Sequence, residues 1–352
     1  AACCYAVLLA AFFIARSGGH WAENDSADLS QAIRGLLRTG QLAPAGGEIY
    51  QNGFGYTALA AFLVDFTGLS VTTLQQVAFP LLSAGLIVIA YAAYREITGS
   101  RQVAILATLL LFIQPEFLFV ILRGSHERML RALMLLAIWL LMRSLRLRDR
   151  HAAFALHVVL FYLVTFGVIA TNALFGISFA TAIAVSMTIA WAVGRWRPSL
   201  MSLARDACAR LASVASTVTA LGFIFIFYVY PPASASLPLL GDIGQKASAL
   251  FFHTSSASTA AAAPSPYSLV VGGWVSLPVY AAVSMGDYLL MLVSGVVWLS
   301  LGISWIRGRR RPMTAATWLL WLLYGAFALQ GVGAILMDRG GLGNLELRSF
   351  PS

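Results

Sequence analysis

The sequence predicts an all-α, polytopic integral membrane protein with about nine transmembrane helices, and three observations carry that expectation. Of 352 residues, 59% are hydrophobic and only 11% charged, against roughly half and a quarter in soluble domains. Several runs of about twenty residues carry almost no charge, enough to cross a bilayer as helices. The basic residues sit in tight groups between those runs. Such a composition excludes a soluble enzyme and a disordered or fibrous chain.

The apolar runs are 1–15, 74–94, 102–121, 129–145, 152–170, 173–193, 211–230, 286–306 and 314–336. Alternating them across a bilayer divides the connections into two sets. One set holds fourteen arginines, among them Arg143, Arg146, Arg148, Arg150, Arg307, Arg309, Arg310 and Arg311, against three acids, Glu96, Asp149 and Asp206. The positive-inside rule makes that set cytoplasmic. The net charge of +9 therefore reflects topology. No basic stripe with interleaved stacking aromatics occurs, so nucleic acid is not an expected partner; the lipid bilayer is.

Cysteine adds little. Cys3 and Cys4 are adjacent in an apolar run and Cys208 lies far off in a basic stretch, so neither a disulfide framework nor a thiolate metal site is indicated. The chain starts without Met inside an apolar run. A single transmembrane domain over 1–352, as a fragment of a longer membrane protein, is the expectation; a signal peptide over 1–16 is the alternative.

Two external segments are long. The first, 16–73, is expected to carry two surface helices. Residues 26–39 place Leu29, Ile33, Leu36 and Leu37 on one face, with Gly40 as terminator. Residues 56–69 are apolar but too short to span, and Asp65 interrupts them, so an interfacial or re-entrant helix fits. The second segment, 231–285, includes the low-complexity stretch HTSSASTAAAAPSPYS (253–268) and is expected to be flexible. The basic stretch 195–210 is expected on the inner leaflet.

Ionisable groups outside the spans cluster twice. In HWAENDSAD (20–28), Glu23, Asp25 and Asp28 are close enough in sequence to share a side. Clustered carboxylates suit a general base and can hold a divalent cation. The plainer reading has Asp25 cap helix 26–39, with Asp28 in its first turn. In RGSHER (123–128), His126 and Glu127 suit ligation or positioning, and Arg123 offers a phosphate its fork of donors. The plainer reading there is a helix start capped by Ser125, with Glu127 paired to Arg131. Glu116, after Pro115, is either a costly charge within the third span or already near water because the proline ends the helix. His157 reads as a hydrogen-bonded residue between helices and Asn172 as the turn of a tight hairpin, while most of the nine tryptophans read as belt and packing residues.

This arrangement resembles the GT-C superfamily of polytopic glycosyltransferases, which includes oligosaccharyltransferase catalytic subunits, protein O-mannosyltransferases and aminoarabinose transferases. A first span leads into a loop opening with Glu23-Asn24-Asp25 and Asp28; LLRTGQLAP follows, then the aromatic-glycine stretch YQNGFGYTALAAFLVDFTGLS (50–70) and, after the third span, QPEFLFVILRGSHER. The resemblance covers about 1–145 and loosens beyond. It implies transfer of a sugar from a polyprenyl-phosphate donor to a hydroxyl or amide of a protein, glycan or lipid acceptor. Asp25 would act as base, assisted by Glu23 or Asp28. Arg123 and Arg348, in NLELRSF, would contact the lipid phosphate; His126, Glu127 and Glu116 would position substrate or metal. A divalent ion (Mg or Mn) held by Asp25 and Glu127 stays open, because His126 and Glu127 do not reproduce the family's DxD or ExD form. The 231–285 loop resembles one that orders over substrate in that family. The implied location is a prokaryotic plasma membrane with an extracytoplasmic active face. A single displacement would invert the anomeric centre. No WWDYG-like motif occurs, which argues against an oligosaccharyltransferase proper. A multi-pass transporter is the rival, disfavoured because charges gather at the outer boundary of nearly clean spans.

Overall fold

The computed structural model describes residues 2–19, 24–43, 50–196, 201–202, 205–236, 277–307 and 313–338. These form helices α1 (Ala2–Ser17), α2 (Asn24–Thr39) and α3 (Gly55–Thr67), then α4 (Val71–Thr98). After it come α5 (Arg101–Ile113), α6 (Pro115–Leu122), α7 (Glu127–Arg146), α8 (His151–Thr171), α9 (Ala173–Trp196), α10 (Arg205–Ile224), α11 (Leu277–Ile306) and α12 (Ala315–Asp338). A π-helical turn interrupts α4 at Leu74–Ala78, and another, Phe225–Val229, prolongs α10.

Four helices among the described residues are long and apolar enough to cross a membrane: Val71–Thr98, His151–Thr171, Ala173–Val193 and Cys208–Val229. Shorter apolar helices among the described residues are Cys3–Ser17, Gly55–Thr67, Arg101–Ile113, Leu292–Trp305 and Thr317–Ala328. The stretch 102–121 is two helices, because a residue before proline is driven out of the α region. Gln114 is extended (ψ 118) and Pro115 opens α6, a position where its missing N–H is harmless. Helix α7 carries Glu127, Arg128 and Arg131 in its first two turns and Arg143 and Arg146 in its last. The segment expected as loop up to 285 is helical from Leu277. Exposed apolar side chains cover the outer faces of the long helices, including Leu82, Val88, Leu156, Leu163 and Val185. Contiguous apolar surface of this kind fits hydrocarbon better than water.

The chain divides into two compact units, 1–191 with 204–236, and 192–203 with 237–352. In the first, Ala6, Ala10 and Phe13 of α1 pack with Ile87, Ala90, Phe112, Phe117 and Ile121. A second core joins Leu29 and Ile33 of α2 to Tyr56, Ala60, Val71, Leu74 and Phe79. Leu29 and Ile33 are fully buried, each stabilising by about 1.5–3 kcal/mol. Tight turns set the geometry. Gly68 (φ 70) closes α3 and Ser70 caps the start of α4 through the Thr73 N–H; Gly99 (φ 68) closes α4 and Ser100 caps α5. Buried Glu96 ties the ends of α4 and α7 together, pairing with Arg146 at 3.1 Å and Arg143 at 3.4 Å.

In the second unit, Trp298 of α11 stacks on Trp321 of α12 at 4.6 Å. Each indole N–H donates to the other residue's carbonyl. Glycines make the room: a Cβ at Gly302 would meet Trp321 at 2.8 Å, and one at Gly325 would meet Trp298 at 2.7 Å. These tryptophans are therefore packing residues. A two-residue parallel bridge joins Met201–Ser202 to Met313–Thr314.

Candidate functional site

Helix α2 begins at Asn24, so Asp25 lies in its first turn and not at the cap. A carboxylate there still favours the helix dipole. Asp28 is exposed, and Gly40 (φ 68) ends the helix as expected. Glu23, Arg348 and the side chains of Asp25 and Glu116 lie outside the described residues, as does most of 231–285. Glu116 falls in the first turn of α6.

The RGSHER loop comes directly against the start of α2. A Cβ at Gly124 would lie 2.6 Å from Ser26 Oγ and 2.9 Å from Ser26 Cβ, so the two backbones approach as closely as glycine allows. The start of α2 and the RGSHER loop, about a hundred residues apart in sequence, are thereby neighbours. Arg128 secures the loop. Its guanidinium donates to the Arg123 carbonyl (2.8 Å), the Leu122 carbonyl (3.1 Å) and the Gln75 carbonyl (3.3 Å), and lies 5.4 Å from the Phe79 ring. The Gln75 carbonyl belongs to the π turn of α4, a kind of bulge frequent at functional sites. Beside it the Tyr56 hydroxyl donates to Gln75 Oε1 at 2.6 Å. Burial pushes the Tyr56 phenol up, against the opposing pull of Arg128 and the Gln75 hydrogen bond.

Helix α7 starts without a side-chain cap: His126 occupies the N-cap position and Ser125 does not fill it. Glu127 is ion-paired and hydrogen-bonded to Arg123, four residues before it, and Arg131 also acts on its charge. Burial raises the Glu127 carboxyl, but Arg123, His126 and Arg131 together pull it below the usual carboxylate range. Part of the Arg123 fork is therefore already engaged by protein.

His126 is buried and sits at a junction of three segments. Tyr50 Oη lies 2.6 Å from its Nδ1 and Ser125 Oγ 3.2 Å. The Asn172 amide nitrogen lies 3.0 Å from its Nε2. Asn52 donates to Tyr50 Oη at 3.1 Å, and the Tyr230 hydroxyl donates to the Tyr50 carbonyl at 2.8 Å. The Asn52 carbonyl accepts the Ala173 N–H at 2.8 Å. A Cβ at Gly53 would meet the Thr171 carbonyl at 2.8 Å, while Phe54 packs on Phe225 and Tyr230. The aromatic-glycine stretch is thus the plug that seats Tyr50 against His126.

Sequence reasoning did not single out Tyr50, Asn52, Gln75, Tyr230 or the bonding role of Asn172. The glycines of YQNGFGY were the available signal for the first two; nothing local marked the others. His157 bonds its own helix, at the Ala153 carbonyl (2.8 Å), near Trp139.

Among the described residues no group of three His, Cys, Asp or Glu side chains is placed to hold a metal. Glu127 does not fit a cation ligand here, because its charge is answered by Arg123 and Arg131, which would repel a cation. No protein-family model matches this chain, and comparisons with curated proteins and with solved structures likewise find no match.

Proposed function

We propose that this chain is a membrane-embedded glycosyltransferase that moves a sugar from a polyprenyl-phosphate donor to an acceptor hydroxyl or amide at the outer membrane–water boundary. The observation that carries the reading is the approach of Gly124 to Ser26. It brings a carboxylate-bearing helix start beside an arginine-bearing loop, in a chain with four helices long and apolar enough to cross a membrane. The chemistry needs those two partners. A carboxylate removes the acceptor proton as its oxygen attacks the anomeric carbon; the bond to the phosphate breaks, and its electron pair leaves with the lipid phosphate, which a guanidinium stabilises. One such displacement inverts the anomeric centre. Asp25 is the proposed base, with Glu23 or Asp28 assisting, and Arg123 and Arg348 are the proposed phosphate contacts. No step is routed through a metal. The proposed setting is a prokaryotic plasma membrane, with about nine spans and the active face outside.

Transport is the second reading, and two features favour it. The helix break at Gln114–Pro115 and the π turn of α4, whose Gln75 carbonyl accepts from buried Arg128, are features that transporters use within their spans.

Release of polyprenyl phosphate from a panel of lipid-linked sugars, comparing the purified chain with Asp25→Asn, separates the readings. The substitution is nearly isosteric and keeps the polar side chain at the helix start. Release lost in a folded variant supports transfer with Asp25 as base; release retained moves the base to Glu23 or Asp28. No release from any donor by the unaltered protein overturns the transferase reading and leaves transport.

A further inference from the structure

At the far end of α7 from the RGSHER loop, two guanidiniums share one buried carboxylate. Glu96, in the last turn of α4, is met by Arg146 at 3.1 Å and by Arg143 at 3.4 Å, and Arg146 also donates to the Glu96 carbonyl. One carboxylate answers one charge, so the trio keeps one positive charge in excess. The Glu96 side chain is shut in, only 9% exposed, whereas those of Arg143 and Arg146 stay 43% and 44% exposed. A guanidinium carries five N–H donors. Both forks are therefore held by protein and keep donors for a ligand. The turn from α7 to α8 adds exposed Arg148 and Arg150 around exposed Asp149. The α4–α5 turn lies alongside, where a Cβ at Gly99 would come 3.8 Å from the Arg146 guanidinium. These four arginines and two acids sum to +2.

The depth of this group in a membrane follows from the helices that carry it. Val71–Thr98 ends here and His151–Thr171 begins here, so the arginines stand where hydrocarbon gives way to headgroups. Exposed apolar side chains start within two turns of them, Val103 and Leu106 on α5 and Leu156 on α8. Arginine forks beside aliphatic surface match a phosphate beside acyl chains. We propose that Arg143 and Arg146, oriented by Glu96 and flanked by Arg148 and Arg150, bind the headgroup phosphate of an anionic phospholipid whose acyl chains run along the adjoining apolar helix faces. This site does not depend on the glycosyl-transfer reading, which puts its lipid phosphate at Arg123. The twenty residues of α7 separate the two by about 30 Å.

The test is thermal unfolding of the full chain, delipidated in a neutral detergent and titrated with phosphatidylglycerol, phosphatidylcholine or inorganic phosphate. A ligand of the folded state raises the transition in proportion to its occupancy. Phosphatidylglycerol should raise it saturably, and the other two should not. The double variant Arg143→Gln with Arg148→Gln leaves Glu96 paired with Arg146 and should weaken the apparent affinity for phosphatidylglycerol about 25-fold, roughly fivefold for each arginine. Arg34→Gln with Arg38→Gln, an equal loss of charge on exposed α2, should leave that affinity unchanged. Equal shifts with phosphatidylcholine overturn the proposal, as does a shift with inorganic phosphate alone, which would mark a site for the free ion. Equal weakening in the two double variants overturns it too, since net charge would then be the cause. If the Arg143 and Arg148 variant does not fold, the comparison of the three ligands on the unaltered chain still decides whether an anionic lipid is bound, and Arg148→Gln with Arg150→Gln, which leaves both contacts to Glu96 in place, decides where.

Discussion

Gly124 meets Ser26 so closely that an added methyl group would lie 2.6 Å from the serine hydroxyl and 2.9 Å from its Cβ. Gly124→Ala must therefore push the RGSHER loop from the start of α2. Overpacking of this kind costs roughly 1–3 kcal/mol, and thermal unfolding in detergent should show the loss. Removing the opposing atoms with Ser26→Gly in the same chain should restore most of it. If Gly124→Ala alone leaves the transition where it was, the two segments do not pack as described.

Glu127 supplies the expected pH dependence. Its carboxyl is held below the ordinary range, the burial that raises it being outweighed by Arg123, His126 and Arg131. The folded state thus binds that proton less readily than the unfolded chain, so stability rises with pH through the carboxylate range and is fully present above about pH 4.3, the ordinary glutamate value. It is lost as the pH falls through the lowered folded value. Glu127→Gln should flatten that part of the acid unfolding profile. It should also destabilise the protein at neutral pH by about 3–5 kcal/mol, since it removes one partner of a buried ion pair. Acid profiles that superimpose for both proteins would contradict the pairing with Arg123.

At the π turn of α4, the Tyr56 hydroxyl and Gln75 Oε1 form a buried bond of 2.6 Å. Tyr56→Phe should cost about 1 kcal/mol. Gln75→Leu should cost more, about 1–3 kcal/mol, because it strands the buried hydroxyl. The double variant should be less destabilised than the two losses summed. A double-mutant cycle by denaturant unfolding measures the coupling, and additive losses would show that the bond does not form.

The sidedness proposed from the arginine distribution is open to a labelling test. In a chain whose Cys3, Cys4 and Cys208 are replaced by serine, a single cysteine at exposed Thr39 should react with an impermeant thiol reagent from outside intact cells. One at exposed Asp149 should react only after permeabilisation. The reverse pattern would place α2 and the RGSHER loop on the cytoplasmic side and remove the proposed site from the outer surface.

Much of the fold is legible because helix-forming signals are local. Gly40 as the stop of α2, the paired stops and caps at Gly68–Ser70 and Gly99–Ser100, and the apolar lengths of α8 and α9 all follow from the residues themselves. The break of the third span at Gln114 was half legible. Pro115 announced it, but whether a new helix began there depended on the packing of Phe117 and Ile121 against α1.

The partners within the site were not legible, and the reason is physical. Hydrogen bonds and ion pairs are decided by atoms a few ångströms apart, and sequence distance says nothing of that when helices bring back residues from far along the chain. Helical spacing offered Glu127 both Arg131 and Arg123; the turn ahead of α7 brings Arg123 into direct contact with it while Arg131 acts on its charge as well. The sequence by itself determined an apolar, all-helical chain, its charge distribution and two ionisable clusters, because hydrophobicity, helix termination and charge are properties of short stretches. Only the tertiary structure decided that the start of α2 meets the RGSHER loop through Gly124 and Ser26, and that Asn172 and Tyr50 both reach His126, because close packing selects which distant groups come within hydrogen-bond distance.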